Sequence, residues 1–295
     1  LLADEKSARL SLPWLERAIE QQHAKAAFKL AKLYQQGQVV SADLAKGFHL
    51  LEQAKDFGHD DAAIEIARYY HQGDTMIKAD HALELSILHQ LVAQQNADAM
   101  YLLGERYEYG VDVPQDMQQA LDYYLAAWQS GLAGAANQIA ILYEFGKLPS
   151  QAGQADFAQA YSWYEKASQQ GNFNGLFNLG RYHQFGIGRE VDLKKAAMFY
   201  LSAANNGSVI AYCHLASTLL KMDHHKGQDR QTIRAKAKSL YELGAKSDNK
   251  ICPRQLGHFY QNELADTKSA LHWYAIAAKG GDLNAIAYQA HILGF

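Results

Sequence analysis

One short phrase recurs eight times along these 295 residues, and its regular spacing leaves few folds open. Its clearest copy runs Ala99-Met100-Tyr101-Leu102-Leu103-Gly104-Glu105-Arg106-Tyr107-Glu108-Tyr109-Gly110. A small residue opens each copy: Ala26, Ala62, Ala99, Ala135, Gly175, Ala211, Cys252 and Ala285, at steps of 36, 37, 36, 40, 36, 41 and 33 residues. Five residues on stands a second small column (Ala31, Ala67, Gly104, Ala140, Gly180, Ala216, Gly257, Ala290). Three further on there is a ring in most copies (Tyr34, Tyr70, Tyr107, Tyr143, His183, Tyr260). Repetition at such a period marks a solenoid of stacked supersecondary units, none of which can bury its apolar face alone.

Within the phrase, apolar residues fall at i, i+4, i+5 and i+8, a helical period rather than a strand's. Glycine ends this first helix at Gly37, Gly73, Gly110, Gly146 or Gly186, where it can take the left-handed conformation. After a loop, Asp43, Asp80, Asp116, Asp156, Asp192 and Asp266 stand where a side-chain oxygen can cap a second helix. That helix carries an alanine (Ala120, Ala160, Ala196, Ala237, Ala270) and then a bulky pair such as Tyr123-Tyr124, Trp163-Tyr164 or Phe199-Tyr200. Small residues let backbones approach and rings fill the remaining gaps, so the aromatic stripe reads as core and not as a cofactor box.

The expected fold is all-α: a right-handed α-solenoid of about seven helix-turn-helix repeats of 33–41 residues, forming one solenoid over 1–295. Residues 1–22 read as the tail of an earlier unit, with Ser11 capping a helix and Pro13 in its first turn. Repeats start near residues 24, 60, 97, 133, 173, 209 and 250. Residues 283–295 read as an unpaired final helix, its apolar face (Ile286, Ile292, Leu293, Phe295) open to a partner or a second copy. The second repeat is irregular, with Ile87-Leu88 in the aromatic slots and Gln95-Asn96 in place of the glycine. The loop inside the repeat lengthens after Gly146 and again over Asp223–Arg230, which reads as drift at a tolerant edge.

A net charge of -3 supplies no field to draw in nucleic acid or an anionic membrane. No stretch of about 20 apolar residues is present to span a bilayer. The chain begins at Leu1, as a processed or excised chain would. Cys213 and Cys252 fall on neighbouring helices two residues out of register and read as buried small hydrophobes rather than a bridge. The 13 histidines show no H-E-x-x-H motif and no pair at i, i+4, and His224-His225 alone supply too few ligands. Neither a phosphate-binding glycine loop nor a nucleophile elbow occurs. The sequence thus predicts no catalytic residue, no cofactor and no metal site.

The columns A-x4-[AG]-x2-Y-x2-G, a loop, then D-x3-A-x2-[WF]-Y-x2-AA-x2-G resemble the SEL-one-like repeat (SLR), a branch of the tetratricopeptide superfamily. Residues Gly175 to Gly207 match well, with His183 replacing the tyrosine. The resemblance covers nearly the whole chain. It implies a non-catalytic adaptor for protein or peptide partners. It also implies, as an alternative, a bacterial envelope component of a polysaccharide-export or secretion complex, in the periplasm or attached to the envelope. First helices line the concave side of such superhelices. On them one variable row reads Phe28, Ile64, Tyr101, Asn137, Phe177, Cys213, Arg254, the next Lys32, Arg68, Glu105, Ile141, Arg181, Ser217, His258, and a third Gln35, His71, Glu108, Glu144, Gln184. Rings beside arginine are the usual makings of a binding hot spot. Phe28, Lys32, Arg68, Tyr101, Glu105, Phe177 and Arg181 are therefore the candidate partner-binding residues.

Overall fold

The computed structural model describes residues 2–37, 39–73, 77–223, 230–246 and 249–294. Among the described residues it is all-helical, with sixteen α-helices and no strand. The chain divides into two compact units, Leu1–Leu132 and Ala133–Phe295. The first holds α1 (Leu2–Glu20), α2 (Ala24–Gln36), α3 (Leu44–Asp56), α4 (Asp60–Gln72), α5 (His81–Ala93), α6 (Ala97–Tyr109) and α7 (Met117–Gln129). In the second are α8 (Ala133–Glu144), α9 (Phe157–Gln169), α10 (Phe173–Phe185), α11 (Leu193–Asn205) and α12 (Val209–Asp223). They are followed by α13 (Arg230–Gly244), α14 (Ile251–Glu263), α15 (Thr267–Lys279) and α16 (Leu283–Leu293). Even-numbered helices from α2 onward carry the repeated phrase, and each from α2 to α14 packs on the odd-numbered helix that follows it, while α16 packs on α15.

Local chemistry sets these boundaries. Asp43, Asp80, Asp116, Asp156, Asp192 and Asp266 each cap a second helix by accepting a backbone N–H from its first turn. Gly37, Gly110 and Gly186 close α2, α6 and α10 in the left-handed region, with φ of 66°, 65° and 67°.

The opening small column is buried in every copy from Ala26 to Ala285. The second column shows why it must be small. A methyl group on Gly104 would stand 2.6 Å from a ring carbon of Tyr124; Gly180 meets Tyr200 at the same distance, and Gly257 meets Tyr274 at 2.7 Å. Each ring is the second member of the bulky pair on the partner helix, and Tyr124, Tyr164, Tyr200 and Tyr274 are fully buried. The rings of the first helix (Tyr34, Tyr70, Tyr107, Tyr143) are only half-buried, so the second-helix tyrosines form the repeat's core.

Three expectations need correction. Cys213 and Cys252 are joined in a disulfide, with Cα atoms 5.7 Å apart. They lie on α12 and α14, the first helices of successive repeats. Room for the two sulfurs comes from Gly244 on α13, which occupies the position of the buried alanines Ala54, Ala127, Ala167, Ala203 and Ala277. A methyl group at Gly244 would collide with both sulfurs. Near the start, α1 runs unbroken from Leu2 through Pro13, so no new helix begins at Ser11. A proline there forgoes one backbone hydrogen bond without ending the helix. The third correction concerns the polar row on the first helices and is taken up below. In α16, Ile286 and Leu293 are exposed, whereas Ile292 packs on the cluster of Tyr274 and Ala277. Residues 224–229, which include His224-His225 and most of the long loop, and Phe295 lie outside the described residues.

Candidate functional site

The first helices carry three variable rows, and the structure separates them by what each must satisfy. A buried tyrosine hydroxyl without a partner costs roughly 1–3 kcal/mol. The third row supplies those partners. Tyr124 donates to Glu108 Oε2 at 2.7 Å, Tyr164 to Glu144 Oε2 at 2.5 Å, Tyr200 to Gln184 Oε1 at 2.7 Å and Tyr274 to Gln261 Oε1 at 2.8 Å. Glu108, Glu144 and Gln184 are buried. The row expected on the groove surface is thus an internal one, and each bond closes within its own repeat. Burial, reinforced by the neighbouring carboxylate, pushes the Tyr124 and Tyr164 hydroxyls far above their usual range, so they remain donors.

The first two rows reach solvent in part. In the unit Leu1–Leu132, Phe28 stacks on His59 with ring centroids 4.4 Å apart, and Lys32 pairs with Glu65 at 2.9 Å. Arg68 is exposed. Tyr101 is half-buried against Tyr124 at 5.5 Å and hydrogen-bonded to Glu105. Burial raises the Glu105 carboxyl above its ordinary range, offset by Arg106. In the unit Ala133–Phe295, Phe177 meets His214 edge-on at 4.9 Å and tilts against Tyr200 at 5.5 Å. Arg181 bridges Glu144 Oε1 at 3.2 Å and Asn178 Oδ1 at 2.9 Å. Phe28, Lys32, Phe177 and Arg181 therefore tie one repeat to the next, leaving one side of each group toward solvent.

One row escaped the sequence reading. Immediately before the glycine stop, at the same register in three consecutive repeats, stand Tyr109, Phe145 and Phe185, 59%, 61% and 56% exposed. Lys221 lies over the Phe185 ring at 5.4 Å. The signal was available in the pattern, since this position follows the internal polar row by one residue and so turns away from the core. In unit two, a cleft of about 540 Å³ is lined by His183, Arg189, Glu190, Asp192, Lys194, Lys195 and Met222.

The Sel1 repeat profile matches residues 24–59, 60–83, 97–131, 133–172, 174–208 and 254–282. Among curated proteins, a chitin synthase regulator, SKT5, from Malassezia restricta is 31% identical over 129 residues, 43% of this chain but 9% of that protein. Among solved structures, a protective antigen of uropathogenic Escherichia coli displaying an SLR fold is 25% identical with a TM-score of 0.63, over 96% of this chain and 59% of the other. A Sel1 repeat protein from Oxalobacter formigenes is also 25% identical, with a TM-score of 0.65, over 76% of this chain and 87% of the other.

Proposed function

Since the chain belongs to the Sel1 repeat family, whose members are protein-interaction scaffolds, we propose that it is a non-catalytic scaffold holding a protein partner along the first helices of its repeats. The observation that carries this reading is the exposed ring that precedes the glycine stop in successive repeats: Tyr109 in the unit Leu1–Leu132, and Phe145 and Phe185 in the unit Ala133–Phe295. A ring fixed at the end of a packed helix presents contact area whose ordering cost was met when the chain folded. Within the unit Leu1–Leu132, Arg68 on α4 and Tyr101 and Glu105 on α6 supply polar complementarity. Phe28 and Lys32 in the unit Leu1–Leu132, and Phe177 and Arg181 in the unit Ala133–Phe295, each add a solvent-facing side on the first helices of their own unit.

The finer reading places this scaffold in the bacterial envelope, in a polysaccharide-export or secretion complex. The Cys213–Cys252 disulfide supports an oxidising compartment. Similarity to a chitin synthase regulator supports a link to polysaccharide assembly. Thiol labelling of the native protein under denaturing conditions checks the compartment: a fully reduced pair speaks against the envelope.

Cross-linked capture from native envelope extracts tests the scaffold itself. Wild-type protein is run beside Y109A/F145A/F185A, whose exposed sites leave folding intact, and the melting curves of both are compared first. Retention is expected to fall tenfold or more, the loss of roughly 1.4 kcal/mol or above. Equal retention by both proteins refutes the exposed rings as contact residues.

A further inference from the structure

His71, His81, Glu84 and Asp112 each offer one ligand atom, and these atoms all lie within 4.8 Å of one another. The sequence hides the group because it draws on three places: the last turn of α4, the first turn of α5 and the loop after α6. His71 Nδ1 is 3.1 Å from Glu84 Oε2, His81 Nδ1 is 3.7 Å from the same oxygen, and His81 Nδ1 is 2.9 Å from Asp112 Oδ2. Four ligands at tetrahedral corners around a zinc-class ion stand about 3.3 Å apart, given metal–ligand distances near 2.0 Å. The three distances straddle that value.

Two further observations point to a ligand at this centre. His81 Nδ1 is shielded from solvent and has no aligned hydrogen-bond partner, despite the nearby carboxylates. Glu84, 1% exposed, receives Arg106 Nε on Oε1 at 2.8 Å, which holds its other oxygen toward the histidines. An outer partner that fixes a carboxylate in this way is the usual support of a metal ligand. Arg106 also offsets the Glu84 charge, so with neutral imidazoles the cluster keeps the one negative charge of Asp112. Two imidazoles with two carboxylates suit zinc or a neighbouring first-row divalent ion better than magnesium or calcium, which prefer all-oxygen shells.

We infer that His71, His81, Glu84 and Asp112 form a structural site for a divalent transition metal of the zinc class. The site joins the second and third repeats at the place where the second repeat lacks the aromatic pair. Ile87-Leu88 stand there instead, buried in the core on the same helix as His81 and Glu84.

Untagged full-length protein, stripped with a chelator, is titrated with Zn²⁺ against a chromophoric competitor, and its melting temperature is followed. One tight equivalent and a rise in melting temperature that saturates at that equivalent are expected. His71→Ala and His81→Ala each weaken binding by more than the roughly 10–100-fold typical of an outer-shell partner. His224→Ala/His225→Ala keeps the equivalent. Co²⁺ substitution of the wild type, which needs no variant to fold, gives the intense visible bands of tetrahedral coordination. No tight equivalent in the wild type, or an equivalent that disappears with His224 and His225 instead, overturns the site. So does a pale, octahedral Co²⁺ spectrum.

Discussion

Gly244 and the disulfide beneath it make an interaction whose sign can be reversed. Where other repeats have a buried alanine, Gly244 leaves space that the Cys213 and Cys252 sulfurs occupy. Gly244→Ala in the wild type forces a methyl group into those sulfurs. Overpacking of that kind costs about 1–3 kcal/mol, against a helix-propensity gain of up to about 1 kcal/mol, so a net loss of about 1–2 kcal/mol is expected. Removing both cysteines (C213A/C252A) opens a loop spanning 39 residues in sequence. Chain entropy sets the cost of that opening at about 4 kcal/mol. In the cysteine-free background the same Gly244→Ala restores the alanine packing of the other repeats and gains about 1–2 kcal/mol. The coupling between the sites is then about 3 kcal/mol, at the upper end for residues in direct contact. Repeats open locally, so the suitable assay is native-state hydrogen exchange of the α12, α13 and α14 amides, compared across the four proteins. If Gly244→Ala weakens protection equally in both backgrounds, the glycine is not there to admit the sulfurs and the reasoning fails.

Two other perturbations probe the core. Gly180→Ala would push a methyl group to 2.6 Å from the Tyr200 ring. It should cost about 1–2 kcal/mol in urea unfolding, with much of that recovered when Tyr200 is changed to leucine. His214 has its pKa lowered to about 4 by burial and by Arg181 and Lys221. It therefore stays neutral in the fold at pH values where the unfolded chain binds a proton. Stability should accordingly be unaffected by this group above its ordinary pKa of 6.5 and fall as the pH drops from there toward 4. The loss is at most about 3 kcal/mol. His214→Phe, which keeps a ring against Phe177, should flatten melting temperature against pH over that window, and an unchanged slope refutes the assignment.

Much of the fold was legible because burial imposes a helical period on apolar residues, and eight copies repeat it. Glycine stops and aspartate caps were readable for the same reason, since each answers a local backbone need. Glu108 and Glu144 were misplaced because polarity was read as exposure. Only the tyrosine hydroxyls of the partner helix, 16 and 20 residues on, explain why carboxylates belong inside. The disulfide was missed because its two residues sit out of register in their own repeats. The clue was the missing methyl group at Gly244 in a third element. His71 and Asp112 gave no spacing to notice, because a ligand set drawn from three elements leaves no linear motif.

The closure of each tyrosine–acceptor bond inside its own repeat bears on how such a gene can change length. Unequal recombination that drops or duplicates one such repeat carries donor and acceptor together, so no orphaned polar group is left in the new protein. Glu144, for one, keeps Tyr164 even if Arg181 is lost with its repeat. Among the described residues, at least two junctions lack this freedom. Arg106 and Glu84 form a buried pair across the second and third repeats, and Cys213 is bonded to Cys252 across the sixth and seventh. Deleting a repeat at either place strands a charge or a thiol in the interior. Copy number should therefore drift among the middle repeats of related genes, while these two pairs of neighbours are inherited as blocks.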